Sequence, residues 1–235
     1  MKNVSIALVL VSLLLVISIP APESKVVSGE SGFISPYLIQ LGDLIFFEWN
    51  HTKPDVPMAF GGWDHVAIYV GQDQIIEAGM NWENTVHQMA LEEAINREFC
   101  EEIGIYRLKE WYELAPLSDG KIRGPLDRER LIELASEFAV AQIGHPYETS
   151  GGAWYRILNA EVGPLDDRGY PEEYFCTELV WASYAWASAA YDEKVQDPYR
   201  DCPSKSDCWL NIDSGRTPSV SPLDLIQSGW LSRVY

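Results

Sequence analysis

The sequence predicts an α+β fold, and three observations carry the prediction. Short aromatic and β-branched runs bounded by Gly-containing turns occupy the first half of the chain. A segment with apolar residues at helical spacing follows. A second helical segment, apolar almost all round, comes next and belongs at the centre of the fold, because it has no face suited to water.

The elements can be justified in order. Lys2 precedes an unbroken apolar run, Val4 to Ile19, closed by Pro20. Such a run reaches about 24 Å as a helix, short of the ~30 Å hydrocarbon core. Charge, apolar stretch and breaker in that order read as an export signal over 1–21. Ala21 offers a small residue for cleavage but Ile19 and Pro22 flank it poorly, so a cleaved signal and an uncleaved N-terminal anchor both stay open. No cysteine follows the run to take a lipid, and no later stretch is long and apolar enough to span a membrane. The expected location is secreted or extracytoplasmic, with membrane contact only through that segment.

Residues 22–235 then read as one domain, with insertions near 153–173 and 192–218. Strands are expected at Leu44–Trp49, Asp64–Val70 and Gln74–Ala78, the last two joined across Gly71. Met89–Cys100 reads as helical, Gly104–Leu108 as a short strand, and Trp111–Gly124 has no clear pattern. Leu131, Leu134, Ala135 and Phe138 mark a surface helix over Asp127–Gln142, with Asp127 as N-cap and Gly144 as the stop. A long Gly/Pro-rich loop, His145–Pro171, leads to the apolar helix Thr177–Ala190. An irregular insertion and a short helix over Ser221–Leu231, with Pro222 in its first turn, close the chain.

Composition narrows the function. Thirty-five acidic against seventeen basic residues give a formal charge of −18, which argues against a nucleic-acid partner, since that needs clustered Lys and Arg. Nine Trp and twelve Tyr fit an aromatic-lined cleft or an aromatic core. Of four cysteines, Cys202 and Cys208 flank a short polar loop and are spaced to close a small ring, though spacing alone does not establish the bond. No CxxC pair and no HExxH is present, so zinc is not expected.

Cys176 stands directly before the apolar helix, where the positive end of a helix dipole favours the reactive thiolate. The competing reading is a structural cysteine, or one half of a disulfide with Cys100. A nucleophilic cysteine needs a base within hydrogen-bond reach and a third group to orient that base. Strand alternation sets His65, Ala67 and Tyr69 opposite the apolar Val66, Ile68 and Val70, so His65 faces away from the core. Glu77 interrupts the apolar third strand, where a charge is costly unless paired. A plain two-residue turn at Gln72-Asp73 would set Glu77 against Ile68, on the wrong face. A bulged turn using Gly71 would set it against His65. Tyr147 is the candidate oxyanion donor, together with the Cys176 backbone N–H. His87 is a reserve orienter, His51 and His145 have no partner that stands out, and Glu178 suits a helix start better than a base.

Four blocks of sequence together resemble the permuted papain-like branch of the NlpC-type cysteine peptidases. They are Gly42-Asp43-Leu44-Ile45-Phe46-Phe47, Trp63-Asp64-His65-Val66-Ala67-Ile68-Tyr69-Val70-Gly71, Ile76-Glu77-Ala78 and Tyr174-Phe175-Cys176-Thr177-Glu178-Leu179-Val180-Trp181. Within that branch the chain is most similar to the YiiX-like group, with lecithin–retinol acyltransferases as more distant relatives. The cysteine helix follows the histidine strands here, the reverse of ordinary members. The resemblance implies an antiparallel sheet packed on a central helix that carries the cysteine at its N-terminus. It also implies a Cys-His-polar triad on Cys176, His65 and Glu77, with Tyr147 at the tyrosine of the Gly-x-Pro-Tyr loop. The resemblance implies no metal or organic cofactor. Its relatives cut cell-wall peptides or handle lipid-linked acyl groups. The expected substrate is therefore a peptide or lipid-linked amide or ester of the cell envelope, peptide amide first. A lipid acyl hydrolase or acyltransferase on the same triad, and a non-catalytic envelope-binding module, remain the alternatives.

Overall fold

The computed structural model describes residues 38–50, 63–79, 84–117, 121–147, 173–191 and 221–235, all within the compact unit Ser35–Tyr235. The export segment, His51, the Cys202–Cys208 ring and, but for Glu173, the two insertions lie outside the described residues. Strands β1 (Leu44–Trp49), β2 (His65–Gly71), β3 (Gln74–Gly79), β4 (Thr85–Ala90), β5 (Cys100–Leu108) and β6 (Leu231–Arg233) form one sheet in the order β4-β3-β2-β1-β5-β6. Every pairing in it is antiparallel. Helices α1 (Leu91–Ile95), α2 (Trp111–Leu114), α3 (Pro125–Ala141), α4 (Cys176–Tyr191) and α5 (Pro222–Gln227) complete the α+β architecture. No helix among the described residues is long and apolar enough to cross a membrane.

The two faces of the sheet differ in what they meet. Leu44, Phe46, Val66, Ile68, Ile76 and Ala78 point into the core shared with Leu131, Ala135 and Phe138 of α3 and Leu179, Val180 and Tyr184 of α4. Each of the Leu, Ile, Val and Phe side chains among them, fully removed from water, contributes about 1.5–3 kcal/mol. The alternate residues of the same strands, among them Phe47, Trp49, His65, Glu77, His87 and Met89, belong to the other face. Thr177 and Glu178 of α4 are buried along with Leu179, Val180, Ala182 and Tyr184, as a central helix requires.

Several boundaries differ from the sequence expectation. Met89–Cys100 is not one helix: β4 runs through Ala90, α1 lasts five residues, and β5 begins at Cys100. Cross-strand pairing of Met89 with Ile75 and Ala90 with Gln74 outweighs the weak local preference for helix. Asp127 is not the N-cap. Gly124 holds that place with Pro125 behind it, where proline's fixed φ and missing N–H suit the first turn. Asp127 sits at the third position, and its Oδ2 accepts from the backbone of Arg123 at 2.7 Å and Gly124 at 3.1 Å. The closing helix ends at Gln227, capped at Ser221, and the chain then adds the short edge strand β6 instead of continuing to Leu231.

The β2–β3 hairpin combines both turn devices weighed from the sequence. Gln72 and Asp73 form the two-residue loop with φ of 54° and 55°, while Gly71 at φ 86° takes up a bulge. The resulting register pairs Ile68 with Ile76 and Tyr69 with Ile75. Continued along the strands, it sets Glu77 across from Ala67 and Gly79 across from His65. Glu77 is therefore on the face of His65, as the bulge dictates, but diagonal to it and not directly opposite.

The entrance to β1 is fastened by a part-buried ion pair. Arg107 on β5 grips Asp43 with Nε on Oδ1 at 2.8 Å and Nη2 on Oδ2 at 2.7 Å, and Asp43 is fully buried. Beside it, the Tyr184 hydroxyl of α4 donates to the Gly42 carbonyl at 2.6 Å. Gly42 has φ 80°, and a Cβ there would stand 2.5 Å from Ile132 Cγ2 and 3.0 Å from the Tyr184 hydroxyl. We predict that Gly42→Ala destabilises the protein by about 2–4 kcal/mol, adding left-handed strain to overpacking. Urea unfolding measures this, and an unchanged midpoint would contradict the packing described.

Candidate active site

One end of the sheet collects the residues singled out for chemistry. His65 is the first residue of β2, Gly79 the last of β3 and Thr85 the first of β4. At this end Pro146 bridges to Thr85, and Tyr147 bridges to Tyr174. The chain enters α4 two residues later, with Cys176 as its first residue. Folding thus carries the N-terminus of the central helix to the rim where β2 begins.

There the Cys176 thiol comes close enough to the His65 imidazole to act on its charge. On its other side His65 Nε2 lies 2.9 Å from Glu77 Oε2. With Nε2 taken by the carboxylate, Nδ1 is the nitrogen left for the sulfur. All three side chains are nearly closed to water. Aromatic rings fix the plane of the imidazole: Trp49 stacks on it at 5.6 Å with a 28° tilt, and Phe47, its cross-strand partner, lies at 5.8 Å. Cys176 and Cys100 are both free thiols, so the disulfide weighed between them is not formed.

Glu77 has more partners than the sequence suggested. Its second oxygen, Oε1, accepts from the Arg97 guanidinium and lies 3.1 Å from His87 Nε2. His87 is paired directly opposite Glu77 on β4 and touches the carboxylate, not the His65 ring. Arg97, just beyond α1, was hidden within a segment read as helix. The signal that would reveal this side of the site is the alternation of Thr85 to Ala90, which makes a strand of the residues around His87. Gly79 keeps the space open, since a Cβ there would stand 3.1 Å from His87 Cε1 and 3.4 Å from Glu77 Oε1. A cavity of about 260 Å³ opens on this side, walled by Trp49, His65, Glu77, His87, Arg97 and Phe99 among others.

The electrostatics follow from these contacts. Burial disfavours a charged His65, but Glu77 and then Cys176, by charge and hydrogen bond, more than reverse this and raise it from 6.5 to about 9. Burial likewise opposes ionisation of Glu77. The charge of His65, hydrogen bonds from both histidines and the charge of Arg97 nonetheless hold the carboxyl well below its usual range. His87 is raised, chiefly by its hydrogen bond to Glu77 against the opposing effect of burial. Burial pushes the Cys100 thiol up to about 11, so it stays protonated at neutral pH.

The other candidates are placed as follows. Tyr147 is held by its backbone, its N–H donating to the Asn84 carbonyl at 2.6 Å, and its half-buried ring packs against the core. His145 meets the Tyr174 ring edge-on at 5.7 Å. Glu178 is buried in the first turn of α4. No group of His, Cys, Asp and Glu side chains suited to holding a metal ion occurs among the described residues. Compared with protein-family models, curated proteins and solved structures, the chain matches none.

A ring raised in the folded state contributes stability that is complete below 6.5 and is lost as pH rises through about 9. We therefore predict that wild type melts above His65→Gln by the widest margin near pH 6. The margin should shrink steadily toward pH 10 in thermal scans. A margin independent of pH across that window would mean His65 is not held as a cation.

Proposed function

We propose that this chain is an exported cysteine hydrolase of the permuted papain-like kind that cleaves amide bonds in cell-envelope peptides. The observation that carries the reading is the buried grouping of Cys176, His65 and Glu77, in which the sulfur acts on the charge of His65 and His65 Nε2 lies 2.9 Å from Glu77 Oε2, at the first residue of a buried helix. Three titratable side chains brought together from β2, β3 and α4 in this sequence of contacts are what nucleophilic catalysis demands.

In the proposed reaction Cys176 Sγ attacks the scissile carbonyl as a thiolate paired with the His65 imidazolium. The carbonyl oxygen takes up the negative charge, with the Cys176 backbone N–H and the Tyr147 hydroxyl as proposed donors. His65 then passes its proton to the departing amine, the C–N bond breaks, and an acyl-thioenzyme remains. Water attacks this intermediate, His65 takes its proton, and the acid leaves as the thiol is restored. Glu77 fixes the imidazole and stabilises its cationic form throughout. The apolar segment Val4–Ile19 supports export, and export favours envelope peptides as substrates.

Iodoacetamide tests the central pair. Cys176 should be alkylated stoichiometrically near pH 6, as read by mass spectrometry, and His65→Ala should abolish this. Labelling that begins only above pH 8 would favour a non-catalytic binding module. Turnover tests the rest: Cys176→Ala and His65→Ala should each lower release of peptide amines from purified cell-wall fragments by about 100-fold or more. Hydrolysis of long-chain acyl esters with no action on peptides would favour the lipid alternative. The rate should also fall as pH rises through about 9, where His65 loses the proton that the leaving amine needs.

A further inference from the structure

We propose that His87 and Arg97 are positioning residues: together they claim Oε1 of Glu77, so that Oε2 is left to His65 alone. The inference rests on the Cys176–His65–Glu77 reading and extends it. A carboxylate has two equivalent oxygens, and the terminal torsion of a Glu side chain is soft. A carboxylate bound through one oxygen is therefore a poor orienter, because it can swing while still bonded. Here Oε1 accepts from the Arg97 guanidinium with His87 Nε2 at 3.1 Å, and Oε2 meets His65 Nε2 at 2.9 Å. Both oxygens are engaged, and the plane of the carboxylate is fixed from two strands and one loop.

His87 is placed by contacts at both ring nitrogens. Its Nδ1 lies 3.0 Å from the Thr85 carbonyl, which can only accept. Its Nε2 faces an ionised carboxylate, which can also only accept. His87 Nε2 therefore meets Glu77 as an ion-pair partner at 3.1 Å and not through an aligned hydrogen bond, and the neighbouring carboxylate favours its charged form. Arg97 is seated by neighbours of its own, lying 5.6 Å over the Phe47 ring and against Met89 Sδ. The charged and titratable groups here are His65 from β2, Glu77 from β3, His87 from β4, Glu93 and Arg97 on and beyond α1, and Cys176 from α4. Three cations thus surround one buried carboxylate. That leaves the His65 imidazolium free to share its charge with Cys176.

The test uses the full chain and iodoacetamide, with the alkylation rate of Cys176 followed from pH 5 to pH 10. His87→Leu and Arg97→Met should each slow labelling at pH 6 by about tenfold or more. Both should stay within about twofold of wild type at pH 10, where thiols in general react as thiolates. His87→Gln and Arg97→Lys, which keep a donor to Oε1, should recover much of the pH 6 rate. If Arg97→Met does not fold, the two His87 variants decide alone. Wild-type rates in all folded variants, or equal slowing at both pH values, would overturn the positioning role while leaving the triad intact. Wild-type protein that fails to label at pH 6 would instead overturn the triad, and the positioning role with it.

Discussion

An ionised carboxylate closed off from water is the constraint on which this site depends. A buried charge of that kind costs several kcal/mol unless the protein itself supplies charge and hydrogen bonds in return. Glu77 receives them from three directions, and each donor fixes part of the fold. His65 ties β3 to β2, His87 ties it to β4, and Arg97 brings the chain beyond α1 back onto the sheet. Removing any one partner leaves charge uncompensated in the interior, so geometry at this end of the sheet is set collectively.

The bulge in the β2–β3 hairpin serves the same end. Side chains alternate along a strand, so a register shift of one residue would move Glu77 to the face occupied by Ile68 and Val66. There the carboxylate would meet the packed side chains of α3 and α4, with no cation at hand. Gly71 absorbs the extra residue at φ 86°, and the tight loop at Gln72-Asp73 does the turning. A local backbone feature nearly the length of β2 away from His65 thus decides whether imidazole and carboxylate share a face.

Much of this was legible in the sequence, for identifiable reasons. The β2 alternation and the unbroken apolar character of α4 are strong periodic signals, and both elements lie within a residue or two of expectation. Glu77, a charge in an apolar strand, is legible as a group in need of a partner, and it has three. What was not legible depended on tertiary contact. The strand at Thr85–Ala90 is half-exposed and carries His87 and Gln88, so its pattern is weak until β3 pairs with it. Arg97 lies in a stretch whose polar residues suit a surface helix, and nothing local announces that its guanidinium turns inward to Glu77. The caps shifted for a similar reason: Pro125 takes the first helical position behind Gly124, and Asp127 reaches back from two positions further on.

The charge balance gives the arrangement its chemical sense. The chain as a whole is strongly acidic, at −18, and such a field works against forming a further anion. At the rim of the sheet the balance is inverted, because His65, His87 and Arg97 converge on a single carboxylate. Coulomb interactions weaken with distance and with water, so a sulfur buried beside this cluster responds to the nearby cations more than to acidic groups spread over the surface. A triad of Cys, His and one carboxylate alone would carry no net surplus once the sulfur ionised. His87 and Arg97, both set against Glu77, tip the local balance toward positive charge at this end of the sheet.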